Sequence, residues 1–283
     1  MDGHLPLLVV NADDYGLTER VAKGILDAHE CGVVTSTSVL ALSPAFATTV
    51  QWLADAPSLG TGVHLAAVGE DPPLLSAAEI PSLVDRNGRL WSSWRAFLPR
   101  AAAGRIDPDD LRREFTAQFD AIVGAGVSVD HIDTHQNLHL WPMVSDVVLD
   151  IGDARGVRAM RVTRSTARGP IGVAVRRLAT RLAAQLSERG WVWPEASTGL
   201  DEAGTLDLGT MVEAIGRLSA TGARTAELAT HPGLPDDPAR IRYRWHYVWA
   251  DEYTALCSRT VRTAIEEFGF RLGTFGDLVA EAS

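Results

Sequence analysis

Two adjacent carboxylates, Asp13 and Asp14, follow directly on the apolar run Leu7, Leu8, Val9, Val10. Such a run reads as a buried strand. Ionised carboxylates at its end need a cation, a metal or several hydrogen bonds to offset their lost hydration. Gly16 then frees the backbone to turn ahead of a helix that starts near Thr18. Histidines supply the matching chemistry. Three of them crowd into His131-Ile-Asp-Thr-His135-Gln-Asn-Leu-His139. In a strand, His131, Asp133 and His135 share one face; in an early helix, His135 and His139 do. His64 closes a short strand pattern, and His231 stands before Pro232 and Gly233, which stop the strand and turn the chain. His4, His29 and His246 lack such a setting and read as surface or packing residues.

Imidazole and carboxylate without thiolate suit a divalent ion such as Zn²⁺, Fe²⁺, Co²⁺ or Ni²⁺, while Mg²⁺ prefers all-oxygen shells. Three protein ligands leave positions open for water and substrate. A spare carboxylate beside them can take a proton from water, and a histidine across the pocket can protonate a departing amine. The chain has no nucleophile elbow, P-loop or dinucleotide glycine fingerprint, which counts against those three enzyme classes.

Hydrophobic periodicity predicts the elements that must position these groups. Strands are expected at 7–11, 33–42, 60–64, 127–134, 157–162, 225–230 and 271–274. Helices are expected at 18–30, 44–55, 108–123, 142–154, 167–188, 211–220 and 250–267, with a short one at the end. Residues 66–107 break the rhythm with four prolines and read as a functional loop, and 191–204 as another. Alternating strand and helix imply an α/β chain with a parallel sheet, closed or open, and function at the strands' carboxyl ends. Asp13, Asp14, His64, His135 and His231 all fall there.

Composition narrows the class. At 46% hydrophobic and 22% charged the chain is ordinary globular material. A net charge of −10 argues against nucleic acid as a partner. The arginine-rich stretch 155–181 reads as solvated helix faces. Cys31 and Cys257 match no paired motif and read as incidental buried thiols. With no leader pattern and no apolar run near ~20 residues, a cytoplasmic protein without a transmembrane segment is expected.

Five stretches carry a resemblance: Asn11-Ala-Asp-Asp-Tyr-Gly16, Gly32-Val-Val-Thr-Ser-Thr-Ser38, Gly62-Val-His-Leu65, His131-Ile-Asp-Thr-His135 and Glu227-Leu-Ala-Thr-His-Pro-Gly233. In this order they resemble the YdjC-like carbohydrate deacetylases. The resemblance implies one domain over residues 1–283 with a (β/α)-barrel-like fold of about seven parallel strands and long substrate loops at their carboxyl ends. It implies hydrolysis of an N-acetyl group from an amino sugar or glycoconjugate. Carried over residue by residue, Asp14, His64 and His135 are the metal ligands, Asp13 the general base and His231 the general acid. Arg161, His139 and Tyr15 are placed beside the substrate. One divalent ion is implied, zinc first, with magnesium, cobalt and nickel as alternatives; a homodimer is allowed. Asn137 departs from the pattern, since many members carry histidine there. Competing readings are a metal-dependent hydrolase of another ester or phosphoester, and a sugar-binding relative without turnover. Residues 66–107 and 163–204 are expected to choose the glycan.

Overall fold

The computed structural model describes residues 5–282; His4 lies outside them, and with it the expectation made for that residue. β1 (Leu7–Tyr15) outruns the expected strand and carries both Asp13 and Asp14. Around it lie β2 (Ser36–Val39), β3 (Gly60–Leu65), β4 (His131–Thr134), β5 (Ala196–Thr198), β6 (Thr225–Thr230) and β7 (Arg271–Gly273). All pairings are parallel, in the order β4-β3-β2-β1-β6-β5, with β7 also on β1. β6 follows β1 from Leu7 to Ala12, whereas β7 takes Leu7–Val9 and β2 takes over at Asn11. The sheet curls into a barrel-like wall.

The helices are α1 (Glu19–Glu30), α2 (Phe46–Thr49), α3 (Trp94–Ala102), α4 (Pro108–Gly124), α5 (Pro142–Arg155), α6 (Pro170–Glu188), α7 (Leu208–Ala220), α8 (Trp249–Leu256), α9 (Arg259–Glu267) and α10 (Phe275–Ala282). Thr18 caps α1 by accepting from the Val21 N–H, 3.0 Å.

Four expectations are corrected. Segment 157–162 is no full strand; it contributes single rungs, Met160 to Ile132 and Ala159 to Val192. β5 forms inside the stretch read as loop, since three residues are too few for a visible alternation. The helix expected over 250–267 breaks into α8 and α9 because Ser258 caps the second by accepting from the Val261 N–H. The thiols are not buried either: Cys31 is exposed and Cys257 half-buried.

Alternation along β1 sorts the core. Leu8, Val10 and Ala12 join Val21 and Ile25 of α1 in the main apolar cluster. Leu7 and Val9 face the other way, onto Ala159 and onto Phe275 and Leu278 of α10. Phe275 stacks on the His131 ring with centroids 3.9 Å apart. The next positions on that inner face, Asn11 and Asp13, are polar. An apolar floor thus supports a polar layer above it. Among the described residues no helix is long and apolar enough to cross a membrane.

His131 fits only because β3 offers a glycine beneath it. A Cβ on Gly62 would lie 2.3 Å from the imidazole. Gly62→Ala is therefore expected to lower stability by about 1–3 kcal/mol, read as a lower denaturant midpoint; an unchanged midpoint would contradict this packing.

Candidate active site

Neighbouring residues of a regular strand face opposite sides. β1 escapes that rule: its register with β2 shifts between Ala12 and Tyr15, and Asp14 takes a left-handed φ of 66°. Aspartate tolerates this region better than most residues. The bulge lets both Asp13 and Asp14 line one cavity of about 350 Å³, together with His64, His135 and His231.

Asp14 Oδ1 is buried 3.3 Å from His135 Nδ1 and 3.5 Å from His64 Nε2, without a well-formed hydrogen bond to either. The donor atoms of Asp14, His64 and His135 all lie within 4.8 Å of one another. An unsatisfied buried carboxylate oxygen facing two imidazoles is what a divalent cation would satisfy, so these residues fit the expected metal. Burial alone would raise the Asp14 pKa, but the contact with His135 and the charges of His135, His64 and His231 hold it at about 2. The His64 Nδ1–H donates to Asp133 Oδ1, 2.6 Å, which turns Nε2 toward Asp14. Although burial acts to lower the His64 pKa, Asp133 raises it to about 9. Cation binding must then release that proton, so affinity should rise with pH.

A second set, Asp13, His64 and Asp133, also converges within 4.8 Å. Its carboxylates are already spent on Arg161, which disfavours a cation there. Arg161 Nη1 and Nη2 donate to Asp13 Oδ2 and Oδ1, both at 2.6 Å. Nη1 also lies 3.0 Å from Asp133 Oδ2, and Nε donates to Glu227 Oε1 at 2.7 Å. Asn11 Nδ2 donates to Asp13 Oδ1 (2.7 Å) and Ser38 Oγ (2.9 Å), and Ser38 donates to Asp133 Oδ2 (2.9 Å). Glu227 Oε2 is buried without a partner, and burial pushes the Glu227 carboxyl above its usual range.

His231 stands across from this pair, its Nε2 3.8 Å from Asp13 Oδ2. Its backbone N–H donates to Glu252 Oε2, 2.6 Å, on α8. Trp245 tilts over His135 at 5.2 Å, and the ring edge of Tyr247 meets His231 at 4.9 Å. From the opposite side, the 66–107 excursion supplies Trp94 and Arg95, while the segment after Arg161 supplies Thr163 and Ser197 to Leu200.

The structure brings Asp13, Asp14, His64, His135 and His231 together, and puts Asp14, not Asp13, between the two histidines. Of the three residues expected beside the substrate, it brings only Arg161 to the cavity. Tyr15 is fully buried on the outer face of β1, where its hydroxyl donates to the Thr49 carbonyl, 2.8 Å. Arg161 reaches the cavity wall, but its guanidinium is committed to three carboxylates. His139 lies behind the wall, its backbone N–H donating to Thr134 Oγ1. Asp133, Glu227, Asn11 and Ser38 went unassigned, though even spacing marks all but Ser38 as face-mates: Asn11 is two from Asp13, Asp133 two from His131 and Glu227 four from His231. Gln136 and Asn137 both adopt φ of 54°, so neither the strand nor the helix reading continues past His135.

The profile of the YdjC-like protein family matches residues 7–267. The chain belongs to this family. Among its relatives, the chitooligosaccharide deacetylase of Proteus mirabilis is 28% identical over 277 residues, 96% of this chain and 99% of its own. The enzyme of the same name from Serratia marcescens matches equally, at 28% over 277 residues. A crystal structure from Enterococcus faecalis, described as a candidate cellobiose-phosphate cleavage protein, superimposes with a TM-score of 0.80 at 26% identity. The match covers 97% of this YdjC-like chain and 99% of the other.

His139 yields a pH prediction. Burial, only partly offset by Asp133, holds its pKa at about 3 against an ordinary 6.5. The unfolded chain takes up this proton near pH 6.5 while the fold refuses it, so the stability involved is complete above 6.5 and lost as pH falls toward 3. In metal-free protein, His139→Gln is expected to flatten the fall in denaturant midpoint over that window. Parallel curves for variant and wild type would contradict it.

Proposed function

We propose that this chain is a metal-dependent hydrolase that removes the N-acetyl group of an amino sugar or its conjugate. The observation that carries the reading is one cavity in which a fitting ligand set meets an anchored carboxylate and a histidine on opposite sides. The two relatives named as chitooligosaccharide deacetylases, matched over nearly their full length, support it.

Bound at Asp14, His64 and His135, a divalent ion would activate water and polarise the amide carbonyl. Asp13 takes the proton of the attacking water. Arg161 and Asn11 fix its carboxylate, and Oδ2 keeps a lone pair on the side that faces His231. His231 gives its proton to the departing amine, with Glu252 and Tyr247 holding it in place. Zinc is the proposed ion, because two imidazoles and one carboxylate would hold it well, whereas magnesium prefers all-oxygen shells. A phosphoester reading is weaker, because Arg95 is the only arginine or lysine lining the cavity besides the committed Arg161 among the described residues. Two free cysteines agree with a cytoplasmic setting.

Acetate release from N-acetylglucosamine oligomers, with and without chelator, tests the reading. Release that stops on chelation and returns with zinc is expected; no release with zinc, magnesium, cobalt or nickel would overturn it. Asp13→Asn should cost on the order of 10²–10⁴ in kcat while zinc still binds. Unimpaired turnover in that variant would remove Asp13 from the base role.

A further inference from the structure

Three of the four tyrosines spend their hydroxyls: Tyr15 on the Thr49 carbonyl, Tyr243 on Asp71 and the Leu17 carbonyl, and Tyr253 on Cys257. Tyr247 lines the catalytic cavity, and its hydroxyl has no hydrogen-bond partner among the described residues. A half-buried phenol in that state stands out, because a tyrosine O–H taken from water normally finds an acceptor. The ring is fixed by its neighbours. Its centroid lies 4.9 Å from that of His231, 5.6 Å from Trp245 and 5.2 Å from Trp249. Gly204, at φ 72°, leaves the ring a space that a Cβ would take. Val248, next in the chain, donates its N–H to the Gly204 carbonyl, 2.8 Å. Burial and the charges of Asp14, Glu252 and Asp13 push the Tyr247 pKa above its usual range, so the phenol keeps its proton and remains a donor.

We propose that Tyr247 is a further catalytic residue, its hydroxyl donating to the acetyl oxygen as that oxygen gains charge in the tetrahedral transition state. The proposal rests on the deacetylase reading. In that reaction water adds to the acetyl carbon and Asp13 takes a proton; the C–N bond breaks and His231 gives a proton to nitrogen. Neither group serves the oxygen on which charge collects. Tyr247 stands between His231 and Trp245, which covers His135, and so reaches the reacting carbon from a side that the acid and base leave free. The hydroxyl gives a hydrogen bond and no proton, so the atoms balance without it. Other donors of the cavity are committed. Thr163, Ser197, Thr198 and Trp245 donate to Asn137, the Val162 carbonyl, Glu202 and Glu70. Gln136 and Asn137 keep free amide N–H groups, but their carbonyls are tied to Trp94 and Thr163 on the opposite wall. Arg95 belongs to that wall too, stacked on Trp94 at 4.4 Å.

Tyr247→Phe keeps the ring, its packing on His231 and its place over Gly204, and removes only the hydroxyl. The test measures acetate release from N,N′-diacetylchitobiose, zinc affinity and denaturant midpoint in wild type and variant. Calorimetry adds the binding of glucosamine and of its methylphosphonamidate, whose tetrahedral phosphorus imitates the transition state. Loss of an oxyanion donor is expected to lower kcat on the order of 10²–10³-fold with KM little changed. The phosphonamidate should weaken by a comparable factor, while glucosamine binding, zinc affinity and midpoint stay at wild-type values. Wild-type kcat in Tyr247→Phe overturns the proposal with the deacetylase reading intact. So does a rise in KM alone, which makes the hydroxyl a sugar contact. A lower kcat matched by weaker zinc binding or a lower midpoint overturns it as well, since the hydroxyl is then structural. No acetate from wild type with any of the four metals overturns the deacetylase reading, and the proposal with it.

Discussion

One buried guanidinium organises this molecule. Arg161 is 2% exposed and faces Asp13, Asp133 and Glu227 at once. Taking such a charge out of water costs several kcal/mol, which only close, well-aligned carboxylates return. Their combined field raises the Arg161 pKa well above its usual value despite burial. The planar fork matters as much as the charge, because it fixes the directions of Asp13 and Asp133 together. Through Asp133 it reaches His64 and the ligand set; through Asp13 it reaches the water-activating position. Three carboxylates on one cation also leave Glu227 the least compensated, in keeping with its raised pKa and its unpartnered oxygen.

Backbone geometry supplies the other constraint. A regular β1 would send Asp13 and Asp14 to opposite faces. The left-handed Asp14 at the register shift breaks that alternation once, at the strand's end, and Tyr15 resumes it by packing outward. Below, Phe275, Leu7 and Val9 form a dry floor. The polar layer above is dense because nearly every side chain in it serves another: Asn11 to Asp13 and Ser38, Ser38 to Asp133, Asp133 to His64.

Much of this was legible in the sequence. The apolar run before Asp13, the turn at Pro232-Gly233 and the strand-end positions of His64 and His135 placed the main chemical groups correctly, because strand ends and turns leave strong local signals. Supporting residues were harder to read. The role of Glu227 depends on Arg161, 66 residues away in sequence, and no local pattern announces such a pairing. Arg161 itself looked like a substrate ligand, since an arginine beside a pocket gives no sign that its donors are already committed. Tyr15 misled for a different reason: its neighbour's left-handed backbone restores it to the outer face, and only coordinates show that. Segment 157–162 had the composition of a strand but found short neighbours, so it pairs one rung at a time.

The most direct measurement is zinc affinity and acetate release in Arg161→Lys, determined on the same folded preparation. A lysine keeps the charge but loses the fork. Loosening Asp133 should weaken zinc binding on the order of 10–100-fold, and freeing Asp13 should lower kcat as well. Wild-type zinc affinity together with wild-type kcat in Arg161→Lys would contradict the central role given to the guanidinium.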